Sequence, residues 1–232
     1  MKSSYNIFYR VAIFLRNLIR PISFRSSGEY WDQRYKIGGT SGSGSYGHFS
    51  EFKAEVLNHF VASNDIHLVL DFGCGDGSQL TLANYPKYVG FDVSKRAIQM
   101  CANLFLDDKT KSFFIYDPEC FVDNGNTFQG DLAISLDVIY HLVEDKVYEK
   151  YMKHLFASSS RYVIIYSCDL DKAPMRVTSH VKPRCFTKFV NKNFPEWNLQ
   201  QVIANRFPFD LKTRTGSWSD FYIYKKGTAN NF

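Results

Sequence analysis

The chain has 232 residues, with 28 Lys and Arg against 23 Asp and Glu, for a net charge of +5. Lys2, Arg10, Arg16, Arg20 and Arg25 all precede the first acid, Glu29, so residues 29–232 carry 23 charges of each sign. A neutral body argues against nucleic acid as a partner, because that binding draws on a basic face spread over the fold.

The basic segment comes first. In residues 5–22, Phe8, Val11, Leu15, Leu18 and Ile22 fall on one helical face, while Asn6, Arg10, Asn17 and Arg20 gather on the other, and Pro21 ends the run. Three readings compete: a helix packed on the body, a peripheral helix on an anionic membrane, and a targeting segment. Residues 38–47, GGTSGSGSYG, have the composition of a flexible linker. Tyr30, Trp31, Arg34 and Tyr35 stand beside them, which favours a lid with glycine hinges over the body's site. The chain thus divides into a basic segment (1–28), a lid with a leading helix (29–62) and a main body (63–232).

In the body, short apolar runs at 67–72, 88–93, 112–117, 131–136 and 161–167 read as buried parallel strands. A helix capped by Ser94 runs to about Leu106, and another covers about 143–156. Two further strands, near 200–204 and at 220–226, complete a seven-stranded set, and the alternation in the last suits an antiparallel hairpin. The pattern predicts an α/β protein with a doubly wound, mostly parallel sheet. Such a body buries a full core, which is where most of the 21 Phe and 15 Tyr belong. The five cysteines are scattered, with no Cys-x-x-Cys pair, and point to reduced thiols in a cytoplasmic setting.

The chemistry concentrates where the first strand should turn into a helix, at Asp71-Phe72-Gly73-Cys74-Gly75-Asp76-Gly77. A dinucleotide fingerprint would need glycine at position 78, which is serine, and an acid ahead of the glycines suits a cationic ligand better than a pyrophosphate. Asp92, at the end of the second strand, can accept both hydroxyls of a ribose. Asp117 and Pro118 close the third strand, where a carboxylate can reach an exocyclic amine. His, Cys, Asp and Glu nowhere gather at metal-ligand spacing, so no metal is expected.

LVLDFGCGDG, YVGFDVS, IYDPECF and DLAISLDVIYHLVED resemble the first four motifs of class I S-adenosylmethionine-dependent methyltransferases, over about residues 64–167. YWDQRYKIGGTSGSGSYGHFSEFKAEVLNHFV, HVKPRCFTKFV and GSWSDFYIYKK look like the bacterial group that accompanies surface-glycan biosynthesis. The resemblance implies a Rossmann-like methyltransferase fold with S-adenosyl-L-methionine as cofactor. It puts Gly73 and Gly75 against the methionyl part, Asp71 on its ammonium, Asp92 on the ribose, and Asp117 and Pro118 beside the adenine. Tyr30, Arg34 and Tyr35 would close over the cofactor, with Arg34 on its carboxylate.

For the acceptor, Asp137 and His141 lie four apart after the fourth strand and would share a face if helix begins there. His141 is then the candidate general base, oriented by Asp137, with Tyr140 lining the pocket. His180, Lys182 and Arg184 form a basic cluster suited to a phosphate or sugar nucleotide, or else a solvated loop. The expected activity is O-methylation of a saccharide, sugar nucleotide or glycan-linked phosphate in the cytoplasm, with peripheral membrane contact through residues 5–22. The alternatives are methylation of another small molecule, including N-methylation of an amino sugar, and a non-catalytic partner of a membrane-associated glycan-assembly complex. The oligomeric state stays open.

Overall fold

A computed structural model describes residues 22–227 except 174 and 176, so the proposed amphipathic segment at 5–22 lies outside the described residues but for Ile22. Seven strands form one sheet: β1 (Leu68–Phe72), β2 (Lys87–Asp92), β3 (Lys111–Ile115), β4 (Gly130–Leu136), β5 (Ser159–Ser167), β6 (Trp197–Ile203) and β7 (Asp220–Lys226). Their order is β3-β2-β1-β4-β5-β7-β6. The first five run parallel, and β7 enters antiparallel between β5 and β6. The doubly wound, seven-stranded sheet expected from the sequence is therefore present.

The helices are α1 (Ser27–Lys36), α2 (Gly47–Ser63), α3 (Lys95–Leu104), α4 (Asp145–Ala157) and α5 (Phe186–Asn193). Alternation along the strands divides the core between the two faces of the sheet. Leu70, Phe72, Ala133, Val163 and Ile165 pack with Tyr151, Met152 and Leu155 of α4. Val69, Leu132, Ile134 and Ile164 pack on the other face with Leu57 and Val61 of α2 and Cys101 of α3. Both layers hold aromatic pairs, such as Phe72 with Phe91 in the first and Tyr166 with Phe221 in the second. Ser94 caps α3 by accepting from the Ala97 amide at 3.3 Å, as its sequence position predicts.

One expected helix is missing. After the glycine motif the chain makes only a short 3-10 turn, Gln79–Leu82, before Pro86 and β2. The stretch is short, and the residue before a proline is driven out of the helical region. No helix among the described residues is long and apolar enough to cross a membrane.

The strand order reverses between β2-β1 and β4-β5, so the crevice at the carboxyl ends of β1 and β4 is where an open α/β sheet receives a ligand. Over that crevice lies α1. The Ser27 amide and hydroxyl donate to the Glu144 carboxylate at 2.9 and 2.5 Å, and Asp32 of α1 accepts from the Ser94 hydroxyl at 2.9 Å.

Candidate cofactor and acceptor site

A cavity of about 250 Å³ opens between the carboxyl ends of the strands and this cover. Its floor is the glycine motif. Gly73 has φ +96°, and a Cβ there would stand 2.4 Å from Cγ2 of Val138. Gly75 has φ +60°, and a Cβ would fall 2.4 Å from the Ser41 hydroxyl and 3.0 Å from that of Tyr35. Only glycine fits either place. At Gly75 the close approach is made by the segment after α1 as well as toward the cavity.

That segment is fastened to the glycine motif. The Ser41 amide and the Tyr46 hydroxyl donate to one carboxylate oxygen of Asp76 at 2.9 and 2.7 Å, and the Asp76 amide donates back to the Ser41 hydroxyl at 3.0 Å. Two residues of this segment are thus tied by three hydrogen bonds to the motif that follows β1. The face of α1 turned to the cavity is Ser27, Trp31 and Tyr35, spaced by four. Tyr30 and Arg34, also four apart, lie one step round the helix and do not line it. Tyr30 stacks on His180 with ring centroids 4.2 Å apart. Arg34 donates from Nε to the Thr40 carbonyl at 2.6 Å, bracing the glycine-rich loop instead of facing the cavity.

The expected cofactor carboxylates do converge. Asp71, Asp92, Asp117 and Pro118 all line the cavity. Oδ2 of Asp71 accepts from the Tyr88 hydroxyl at 2.8 Å, while its Oδ1 is buried with no partner. Burial pushes the Asp71 carboxyl up to about 7, against the Tyr88 hydrogen bond that lowers it, with help from the neighbouring charge of Asp92. Asp92 accepts the Gly75 amide at 3.0 Å on one oxygen and the Ser94 amide at 2.8 Å on the other. Burial raises it to about 6 despite those two donors. Seven acids line the cavity in the described residues, Asp71, Asp76, Asp92, Asp117, Glu119, Asp137 and Glu144, against one cation, Lys53. A lining of that sign fits a ligand carrying positive charge.

Lys53 was not legible as a site residue. It projects from α2 among Ser50, Ala54 and Leu57, all buried, and is itself only 1% exposed. Its ammonium lies 3.0 Å from Oδ2 of Asp137. The one sequence signal is a lysine on the apolar face of a helix, and nothing local names a partner 84 residues away.

At the end of β4 the arrangement differs from the expected shared helical face. Asp137 takes φ +59°, and only a 3-10 turn, Ile139–His141, follows. Asp137 accepts from Lys53 on one oxygen and from the hydroxyls of Tyr140 and Ser219, both at 3.0 Å, on the other. His141 is oriented by a different group: its Nδ1 lies 3.0 Å from the His180 carbonyl oxygen. That oxygen can only accept, so Nδ1 carries the proton and Nε2 the lone pair in the neutral ring. Burial lowers His141 to about 4, so the ring is neutral at pH 7.

On the far side of Asp137 lies a second cavity of about 600 Å³, walled by Tyr140, Tyr166, Phe209, Trp218, Ser217 and Ser219. Asp137 lines both chambers. Of the basic cluster, His180 stacks against the rings of Tyr30 and His141. Arg184 is consumed structurally. It pairs with Asp145, donates to the Leu142 and Val143 carbonyls and covers the ring of Tyr148 at 4.4 Å. Lys182 pairs with Asp145 at 2.6 Å. Arg184 and Lys182 line neither chamber.

Strand order, glycine crevice and an acid at or next to the carboxyl end of β1 and β2 together make this the Rossmann-like methyltransferase fold. No protein-family model matches the chain, and no curated protein matches it either. Solved structures do. The magnesium protoporphyrin IX methyltransferase of Synechocystis PCC 6803, solved with S-adenosylhomocysteine, is 15% identical with a TM-score of 0.61, over 86% of this chain and 98% of that one. The N-methyltransferase NodS of Bradyrhizobium japonicum WM9, with the same ligand, is 11% identical with a TM-score of 0.61, over 88% and 100%. A small RNA methyltransferase is 18% identical with a TM-score of 0.59, over 78% of this chain and 25% of its own. The fold is common to all three, and the two acceptors that their names give, a porphyrin and small RNA, differ.

Proposed function

We propose that this chain is an S-adenosylmethionine-dependent methyltransferase acting on an oxygen of a saccharide, sugar nucleotide or glycan-linked phosphate. The observation that carries the cofactor is Oδ1 of Asp71, a buried carboxylate oxygen with no partner in a cavity of otherwise acidic lining. An unpaired buried charge is costly, and a ligand ammonium is the partner that this position lacks. Asp92 retains lone pairs for a ribose diol beyond its two amide donors. Asp117 and Pro118 border the far end, where the adenine would lie, and Gly73 and Gly75 let the methionyl part rest against backbone.

When bound, the cofactor supplies an activated methyl group on a sulfonium. The protein's part is to hold the acceptor in line, exclude water beneath Trp31 and Tyr35, and take the acceptor's proton. The second chamber holds the acceptor, with aromatic walls for a sugar ring and Asp137 at the boundary. Nε2 of His141, which lines the cofactor cavity, receives the proton of an acceptor oxygen that reaches past Asp137 from the second chamber. A base held at about 4 is weak toward a free alcohol, but an oxygen gaining a methyl group becomes far more acidic than that, so proton transfer runs late. N-methylation of an amino sugar is a second reading, favoured by the acidic lining of the cavity that meets the second chamber. The surface-glycan setting and a peripheral position on the cytoplasmic face of a membrane rest on residues 5–22 and the family resemblance.

The test is a screen of activated sugars and glycan fragments with S-adenosylmethionine, reading adenosylhomocysteine release and the mass of the product. Release with a sugar that gains one methyl group supports the proposal. Methylation confined to nucleic acid or to lipid-free aromatics rejects it.

A further inference from the structure

The connection from β6 to β7 builds one wall of the second chamber. Its two arms curl together: the Phe209 amide donates to the Ser217 carbonyl at 2.9 Å, the Ser217 amide to the Phe207 carbonyl at 3.0 Å, and the Asp210 amide to the Thr215 carbonyl at 2.8 Å. Gly216 closes the bend at φ +100°, and a Cβ there would stand 2.3 Å from the Pro208 carbonyl oxygen, so the position admits only glycine. Phe209 and Trp218 are thereby set side by side on the chamber wall, half-buried, with ring centroids 4.6 Å apart. Next to Trp218, the Ser219 hydroxyl donates to Asp137 at 3.0 Å and ties this wall to the boundary between the chambers. Two rings left half uncovered on a cavity of about 600 Å³ offer an apolar surface for a small ligand.

The same chamber offers no counter-charge. Among the described residues that line it, Asp137 is the one carboxylate, and there is no Lys, Arg or His. Asp137 is already answered by the Lys53 ammonium at 3.0 Å and by the hydroxyls of Tyr140 and Ser219. Burial pushes the Cys168 thiol up to about 11, so it adds no charge at pH 7. Lys182 and Arg184 are engaged with Asp145. A buried charge needs a partner, and phosphate draws on Arg or Lys. A phosphate on the reacting ring would find no partner here, and an ammonium would find the one carboxylate taken.

We propose that the second chamber takes an uncharged pyranose ring packed on Phe209 and Trp218, and that Trp218 sets this acceptor specificity. This rests on the saccharide reading given above and narrows it: where the acceptor carries a phosphate, the phosphate stays outside the chamber. A pyranose presents a face of C–H groups to an aromatic ring and hydroxyls around its rim. The chamber matches both, with the two aromatic side chains bordered by the hydroxyls of Ser217 and Thr178.

The test presents the full chain and S-adenosylmethionine with methyl glycosides of glucose, galactose and mannose, beside their phosphate monoesters and amino analogues, and reads adenosylhomocysteine release. The uncharged glycosides should be methylated with kcat/KM at least about tenfold above that of the charged forms. Trp218→Ala should raise their KM at least about tenfold, with kcat and adenosylhomocysteine affinity near wild type, and Trp218→Phe should recover most of the loss. Thr178→Lys, which puts a cation on the chamber wall, should lift the phosphate esters relative to the uncharged sugars. If Trp218→Ala does not fold, Thr178→Lys decides the matter, because damage to the fold lowers turnover of both kinds of sugar and does not invert their order. Preference of the wild type for charged sugars, a KM unmoved by Trp218→Ala, or an order unmoved by Thr178→Lys overturns the inference and leaves the saccharide reading standing. No release with any of these sugars, from a chain that binds adenosylhomocysteine, overturns both and leaves the cofactor reading standing.

Discussion

Replacing Asp71 with asparagine should stabilise the ligand-free protein at pH 8 while abolishing cofactor binding. The folded-state value of about 7 lies roughly 3 units above the ordinary 3.8. A carboxyl raised in the folded state favours folding while protonated. Its contribution is complete below about 3.8, is lost as pH rises toward 7, and is a constant cost above that. At 1.36 kcal/mol per unit the cost at pH 8 is about 4 kcal/mol. An asparagine keeps the Tyr88 hydrogen bond on its oxygen and leaves an amide where Oδ1 stood, at about 1–3 kcal/mol. The net gain at pH 8 is about 1–3 kcal/mol, which disappears near pH 5, where wild-type Asp71 is mostly protonated. For a chain of this size each kcal/mol moves Tm by about 2–4 °C. Calorimetric melting of both proteins at pH 5 and pH 8 reads the difference directly. The reasoning fails if Asp71→Asn changes Tm equally at both pH values, or lowers it more at pH 8.

Three further outcomes can be measured. Gly73→Ala should cost about 1–2 kcal/mol for its left-handed backbone and about 1–3 kcal/mol for the clash with Val138, and a cycle with Val138→Ala should recover only the second part; urea denaturation of the four proteins checks this. His141→Ala should leave adenosylhomocysteine affinity within about twofold and reduce turnover at least about a hundredfold, and unchanged turnover would remove His141 as the base. Full-length chain should sediment with anionic liposomes and lose that property without residues 1–25, whereas equal sedimentation of both would dismiss the membrane role of the basic segment.

The sheet was legible because buried parallel strands are short apolar runs bounded by turn residues, and β7 begins and ends where its alternation does. Asp71 and the glycines were legible because a strand end followed by glycine places them at the crevice whatever packs above, and Asp92 because it closes the next parallel strand. The acceptor side was not. Whether Asp137 and His141 share a face depends on the backbone of Asp137, and tertiary contacts with Lys53, Tyr140 and Ser219 hold it in a conformation that helical periodicity does not anticipate. The lid was expected from its glycines and aromatics. The ties of Ser27 and Asp32 fix the roll of α1, so the expected Tyr35 lines the cavity with Trp31, while Tyr30 and Arg34 turn away from it. Arg184 illustrates the same limit, since a basic loop residue and a carbonyl clamp look alike until Leu142 and Val143 are brought beneath it.

The central claim is that the acid-lined cavity takes an adenosyl cofactor. Titration calorimetry of the wild type with adenosylhomocysteine at pH 8, beside Asp92→Ala, tests it most directly. The structure leads us to expect one-to-one binding by the wild type, weakened at least about tenfold when the carboxylate that accepts the Gly75 amide is removed. Absence of any binding heat for a folded wild type would contradict the account.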